Sequence, residues 1–357
     1  MDPVVFASFP LAASSQTASF SAFDEAATLW GQMHRREFIK LISGTAASWP
    51  LGARAQQSLP VIGFLNVASP EGYANYVAAF RDGLKQSGYV EGQNVTLDYH
   101  WAEGHYDRLP EMAADLVRRQ VSVIVANTPA NLAAKKATDT IPIVFTTASD
   151  PVGIGLVSNL SRPGGNVTGV TQLNVTLGPK RLEVAHELMP AATVIALLVN
   201  PSDPVRAETL SREVQAAADH LGLQLHILRA RSEPEINAAF VGFAQLKAGV
   251  LVIGGDAFFN SRSKLLAELS LHYAVPAIYE YSEFTEAGGL ISYGGSIKES
   301  YRWAGIYTGR ILKGDKPADL PVQRSTTVEL IVNLKSAKAL GVTVPLALLG
   351  RADQIIE

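Results

Sequence analysis

Two stretches of the chain open alike: VIGFLNVASP at residues 61–70 and VIALLVNPSDP at residues 194–204. Each is a short aliphatic run that ends in asparagine, serine and proline before a segment of helical periodicity. An apolar run of that length, bounded by turn formers, reads as a strand buried on both faces. Proline just inside the next segment suits a helix start, because its fixed φ is already helical and its missing N–H would have no partner there. Strand, turn and helix together form the unit from which parallel sheets are built.

Working outward, each stretch begins a series. Strands are expected at 61–65, 95–99, 121–126 and 143–146, with helices at 73–86, 106–119 and 131–138. The second series has strands at 194–199, 224–228, 250–253 and 277–279 and helices at 204–221, 235–246 and 261–273. The two series correspond in order. VSVIVANTPA at 121 matches GVLVIGGDAF at 249, IPIVFTTASD at 141 matches VPAIYEYSEF at 275, and GGNVTGV at 164 matches GGLISYG at 288, with offsets that drift between 124 and 134 residues. The fold class is therefore α/β, with two doubly wound parallel-sheet lobes. Beyond the second series lie a helix at 296–312, closed by Lys313 and Gly314, and a strand in STTVELIVNL. A chain that completes a second lobe with elements to spare is expected to return to the first, with hinge strands at 169–174, 293–296 and 321–326. Lobe 1 would comprise residues 59–170 and 296–320, and lobe 2 residues 171–295 and 321–357.

Ahead of the first strand, MHRREFIKLISGTAASWPLGARAQQ at residues 33–57 has a basic head, an apolar run and an Ala53-Arg54-Ala55 site. That is the layout of an export signal, with cleavage after Ala55, and Arg35-Arg36 resembles the twin-arginine motif of bacterial export. The apolar run is shorter than the roughly 20 residues a membrane span takes. Residues 1–32 read as an extension upstream of the true start at Met33. Cleavage leaves about 300 residues, enough for two cores, and places the mature protein in the periplasm.

The 357-residue chain contains no cysteine, which excludes disulfides, thiolate nucleophiles and cysteine-ligated metals. Its formal net charge of −3 leaves no electrostatic footprint for nucleic acid. There is no G-x-S-x-G elbow and no P-loop, so hydrolase and nucleotidase readings lack support. GIGLVS at 153–158 departs from the dinucleotide fingerprint and reads as a loop. The cluster His100, Glu103, His105 and Asp107 reads as a polar turn without a second ligand pair. The sequons at Asn94, Asn159, Asn166 and Asn174 are chance matches under a bacterial signal. No catalytic residue, metal or cofactor is expected.

In open parallel sheets ligands bind beyond the carboxyl ends of the strands, where helix N-termini present free N–H groups. The residues there are small and polar: Asn66, Ser69, Asn127, Thr128, Thr146, Thr147, Ser149 and Asp150 in the first lobe, and Asn200, Ser202, Asp203, Asp256, Tyr279, Tyr281 and Glu283 in the second. Any one of these could simply cap a helix. Converging across a cleft, they suit a carboxylate (hydroxyls, amides, helix N-termini), an ammonium (Asp150 or Asp256) and an apolar or aromatic body (the tyrosines).

SGYVEGQNV, IPIVFTTASDPVGIGLVSNLSRPGGNVTGVT and TVELIVNLKSAKALGVTVP resemble the periplasmic substrate-binding proteins of ABC transporters, in the subfamily that includes tryptophan and tyrosine binders. The resemblance covers essentially all of the mature chain. It implies a type I periplasmic binding fold that closes on a small solute and delivers it, as a monomer, to an ABC permease in the inner membrane, with no bond broken. It carries over Asn66, Thr128, Thr147, Asp150, Asn200 and Asp256 as binding positions, and Tyr279 and Tyr293 with them. Two other readings share the fold: a sensory module for a receptor kinase, and a cleft enzyme such as a racemase or isomerase, which would need a paired acid and base. A sugar-responsive repressor would carry a DNA-binding head where this chain has its signal.

Overall fold

The two matching stretches each begin a separate sheet. The computed structural model of the chain describes residues 59–172, 174–325 and 327–357. The expected upstream extension and export signal, residues 1–55, lie outside the described residues. The first series gives β1 (Val61–Asn66), β2 (Thr96–Trp101), β3 (Val123–Asn127), β4 (Ile143–Thr147) and β5 (Val167–Thr171). The second gives β6 (Val194–Val199), β7 (Gln224–Arg229), β8 (Val250–Ile253), β9 (Ala277–Tyr279) and β10 (Ile291–Gly295), followed by β11 (Gln323–Arg324), β12 (Val328–Asn333) and β13 (Gln354–Ile356). Strand order is β2-β1-β3-β4-β5-β11 in one sheet and β7-β6-β8-β9-β10-β12-β13 in the other. Both sheets thus wind outward from β1 and β6 in the same order. Every pairing is parallel except β10 with β12.

The helices of the first series are α1 (Pro70–Gln86), α2 (Leu109–Arg118) and α3 (Ala130–Ala137). Those of the second are α4 (Gly178–Leu188), α5 (Pro204–Leu221), α6 (Glu233–Leu246), α7 (Ala257–Asn260), α8 (Ser263–His272) and α9 (Ser282–Glu286), with α10 (Ile297–Leu312), α11 (Leu334–Ala339) and α12 (Leu346–Leu349) after them. Among the described residues, no helix is long and apolar enough to cross a membrane. Local chemistry sets the ends. α5 begins with Pro204 behind Asp203, whose carboxylate accepts from Arg206 N, and stops at Gly222, whose φ of 69° is left-handed. The central strand β6 is buried on both faces. Ile195, Leu197 and Val199 pack with Leu182, Leu210 and Val214, while Ala196 and Leu198 pack with Ile236 and Phe240.

After β10 the chain returns to the first lobe. α10 lies along α1 at such close range that a Cβ added at Gly305 would overlap the Phe80 carbonyl, and one at Gly83 the Arg302 carbonyl. Two bonds hold the segment after α10: Tyr307 Oη donates to Pro321 O at 2.7 Å, and Thr168 Oγ1 donates to Leu320 O at 2.7 Å. The expected boundary at residue 321 is displaced by these contacts. β11 pairs with β5 in the first sheet, so the last passage to the second lobe follows Arg324. Of the expected hinge strands, residues 169–171 and 293–295 lie within β5 and β10, which are full members of their sheets.

The close contact of α1 and α10 makes a direct prediction. Gly305→Leu should lower unfolding free energy by about 1–3 kcal/mol or more through overpacking, read by urea denaturation, whereas Gly242→Ala, on α6 with ordinary van der Waals space around it, should cost little.

Candidate functional site

Both sheets reverse their winding at one pair of strands, β1/β3 and β6/β8, and the same device closes the turn there. Asn66 Oδ1 accepts from Ala68 N at 2.9 Å, and Asn200 Oδ1 accepts from Ser202 N at 2.9 Å. Each asparagine is also tied to the neighbouring strand end: Asn127 Nδ2 donates to Asn66 Oδ1 at 3.1 Å, and Asn200 Nδ2 donates to Asp256 Oδ1 at 2.8 Å. These side chains hold the crevice open at the carboxyl ends of the strands.

The two crevices face each other across a small gap lined mostly by polar side chains. The first lobe supplies Asn127, Thr128, Thr146, Thr147 and Ala148 from strand ends, and Tyr73, Ile297 and Tyr301 from the first turns of α1 and α10. The second supplies Arg206, Ala257, Asn260 and Tyr281, and Gln172 comes from the passage after β5. The first wall is neutral and internally bonded. Thr128 Oγ1 donates to Thr147 Oγ1 at 2.8 Å, Asn131 Nδ2 donates to Thr128 Oγ1 at 3.0 Å, and Asn66 Nδ2 donates to Tyr301 Oη at 3.0 Å. Burial pushes the Tyr73 and Tyr301 hydroxyls well above the usual tyrosine range, so both stay protonated.

The second wall carries charge. Among the described residues, Arg206 is the one charged residue lining the gap. Its Nη2 donates to Glu280 Oε1 at 3.1 Å and Oε2 at 3.4 Å, and Glu280 also meets Arg181 at 3.5 Å. Burial pushes the Glu280 carboxyl up, but Arg206 and Arg181 together hold it below its ordinary value. Burial alone would lower Arg206, yet Glu280 keeps it raised and cationic. Three buried polar atoms on lining residues have no hydrogen-bond partner among the described residues: Arg206 Nε, Gln172 Oε1 and Asn260 Oδ1. A buried donor on a cation and two buried carbonyl acceptors around one gap are groups that a solute would satisfy.

The lobes touch around the gap. Tyr106 Oη donates to Asp256 Oδ2 at 2.8 Å and accepts from Asn200 Nδ2 at 3.1 Å. Tyr76 of α1 lies beside Glu283 of α9. At the start of α1, Gly72 sits so close to Ser261 that any Cβ would overlap its Cα and Cβ. The arrangement is closed.

Of the residues expected from sequence, Asn127, Thr128, Thr146 and Thr147 line the gap and Asn66 supports it from behind. Asn200 and Asp256 stand beside a second, smaller space that shares Arg206. Asp256, expected as an ammonium partner, accepts hydrogen bonds within the protein at both oxygens: Oδ1 from Asn200 Nδ2 and Phe258 N, Oδ2 from Tyr106 Oη. Asp150 is exposed, accepts from Val152 N at 3.0 Å and faces a neighbouring cavity. Ser69 is the N-cap of α1, outside the gap. Tyr279 is wholly buried, bonded to Ser270 at 2.7 Å and stacked on Phe284, and Tyr293 packs into the second core. Sequence reading missed Tyr73, Gln172, Arg206, Asn260 and Tyr301. Most of these lie on helices rather than at strand ends, and the signal available for Arg206 was its place three residues after the capping Asp203.

The family model described as ABC transporter substrate binding protein matches residues 61–356. The chain belongs to that family. A tyrosine-binding protein of Clostridioides difficile is 28% identical over 263 residues, covering 73% of this chain and 75% of the relative. Among solved structures, a conserved domain protein from Vibrio cholerae superposes with TM-score 0.75 at 28% identity, over 83% of this chain and 99% of that one. A domain from Streptococcus pneumoniae in complex with L-Trp gives TM-score 0.73 at 28% identity, over 84% and 100%. A ligand-free, open substrate-binding protein from Clostridium difficile gives only 0.57 at 25% identity, over 84% and 99%. The identities are similar, so the lower score against the open form fits the closed arrangement here. The fold is that of type I periplasmic binding proteins. Members of the family bind small solutes outside the cytoplasm for ABC transporters and are not enzymes.

Closure depends on Gly72. In Gly72→Val the added side chain should hold the lobes apart at Ser261. A solute that compacts the parent protein in small-angle scattering should fail to compact the variant, and affinity should fall by about tenfold or more, with the thermal midpoint of unliganded protein unchanged.

Proposed function

We propose that the chain captures an α-amino acid with an aromatic side chain in the gap between its lobes and delivers it, as a monomer, to an ABC permease in the inner membrane. The observation that carries this reading is the composition of the gap. One cation, Arg206, offers an unpartnered Nε to a carboxylate, the Gln172 and Asn260 carbonyls offer acceptors to an ammonium, and Tyr73, Tyr281 and Tyr301 supply ring faces and hydroxyls. A zwitterion suits such a wall because each of its charges meets a group of opposite polarity in a site of low effective dielectric. Asn127, Thr128, Thr146 and Thr147 complete the neutral wall, with Asn66 behind it, while Asn200 and Asp256 brace the second lobe beside Arg206. The named solutes of the relatives, tyrosine and L-Trp, point to the same chemistry.

Binding is a shift of population. The solute touches both lobes only when they are closed, so its contacts favour the closed form. We propose further that residues 33–55 are an export signal of twin-arginine type, cut after Ala55, which puts the mature protein in the periplasm. Mass spectrometry of protein recovered from the periplasm should find an N-terminus at Gln56, and a mature chain beginning elsewhere would refute that site.

A thermal-shift screen of amino acids tests the solute. Tryptophan, tyrosine or phenylalanine should stabilise the protein by about 2.7 kcal/mol at a hundredfold excess over the dissociation constant. Arg206→Gln should weaken that binding by about tenfold or more, or 1.4 kcal/mol. An Arg206→Gln protein that binds as tightly as the parent, or a parent that responds to no aromatic amino acid, would sink the assignment.

A further inference from the structure

Arg181 touches no part of the gap, yet it is the largest fully buried side chain of the described residues. It lies on α4 at 0% exposure, and its Nη2 stands 3.5 Å from Glu280 Oε2, an oxygen that Arg206 also meets. Two backbone carbonyls fix it: Nη2 donates to Asn174 O at 2.8 Å and Nη1 donates to Tyr293 O at 3.2 Å. Asn174 follows the passage after β5, and its Oδ1 accepts from Gly295 N, at the passage after β10, at 2.9 Å. Arg181 therefore joins two of the lobe connections to the carboxylate that holds Arg206.

Charge counting gives this arrangement a purpose. Arg206 and Glu280 alone form a neutral pair, and an anion arriving at a neutral pair gains little. Asp203 and Asp256 stand near Arg206 as well, facing the smaller space on its other side. Stability does not require a second buried arginine, since a buried ion pair is often no better than well-packed apolar groups of the same volume. We infer that Arg181 is a positioning residue that shares the Glu280 carboxylate, so that Arg206 is left more positive toward the solute's carboxylate than it would be as the sole partner of Glu280. The trio Arg181, Glu280 and Arg206 carries one net positive charge, and Arg206 is its only member at the wall of the gap. Glycines make room for this arrangement: a Cβ at Gly255 would overlap the Glu280 carboxylate, and one at Gly294 the Glu280 carbonyl. The inference rests on the carboxylate role proposed for Arg206 and adds the residue that sustains it.

The test measures charge preference rather than affinity alone, by calorimetric titration of the mature protein with L-tryptophan and with L-tryptophanamide, which lacks the carboxylate. The parent should prefer the acid by about tenfold or more. Arg181→Met should bring that preference close to unity, and the double variant Arg181→Met/Glu280→Gln, which restores one net positive charge, should recover most of it. Glu280→Gln alone leaves both cations and should raise the preference above the parent's, which gives a reading even where Arg181→Met does not fold. A preference retained in Arg181→Met, no recovery in the double variant, or no rise in Glu280→Gln would overturn the role of Arg181 and leave Arg206 standing. A parent that does not distinguish acid from amide would overturn the carboxylate reading of Arg206, and the role of Arg181 with it.

Discussion

A carboxylate at 1% exposure, such as Glu280, costs several kcal/mol unless cations and hydrogen bonds replace its water. Much of the second lobe's inner face follows from meeting that requirement. Arg206 must point inward from the first turn of α5, which needs Pro204 and Asp203 to start the helix there. Arg181 must come from α4, which brings the passage after β5 against β10. Gly255 and Gly294 must lack side chains, because the carboxylate and its own carbonyl fill the space where a Cβ would go. One buried acid thus orients the cation at the cleft and ties the lobe connections to it.

The lobes share a topology but divide the chemistry. Both use an asparagine at the end of the first strand to brace the following turn, and both bond it to the end of the adjacent strand. On the first lobe the partner is another amide, Asn127, and the wall continues with threonine and tyrosine hydroxyls. On the second the partner is Asp256, and the wall carries Arg206. The difference lets a neutral, hydrogen-bonding face meet a charged one, which suits a solute with a polar head and an uncharged body. The hydroxyls of Tyr73 and Tyr301 serve either as donors or as acceptors, because burial keeps them protonated.

Periodicity carried the fold well, because parallel strands buried on both faces are near-continuous aliphatic runs and their helices begin at Pro, Ser and Asp. The return of the chain to the first lobe was legible from the surplus helix and strand. The position of its last passage was not, since the two-residue β11 has too little pattern to announce a pairing that is decided by contact with β5. The site was half legible for a related reason. A rule about strand ends finds Asn127, Thr128, Thr146 and Thr147, but it cannot distinguish a residue that faces the gap from one that faces the core, as at Tyr279. Nor does it reach side chains such as Tyr301, which enters the site only because α10 packs on α1 through Gly83 and Gly305.

Closure has to remain a matter of small differences. The contacts between lobes at Tyr106, Asp256 and Asn200 are hydrogen bonds whose net worth is about 0.5–1.5 kcal/mol each, because open lobes would give the same groups to water. Such contacts set the geometry of the closed form without committing the protein to it. To carry an equilibrium from mostly open to mostly closed, a solute needs several kcal/mol of preference for the closed form. The unpartnered atoms of Arg206, Gln172 and Asn260 are a fitting source, because in the closed form they are buried and costly until something bonds to them. A solute that satisfies all three removes that cost, and one that satisfies only some leaves part of it in place. Selectivity of the cleft would then arise from what closure buries, as much as from what the solute touches.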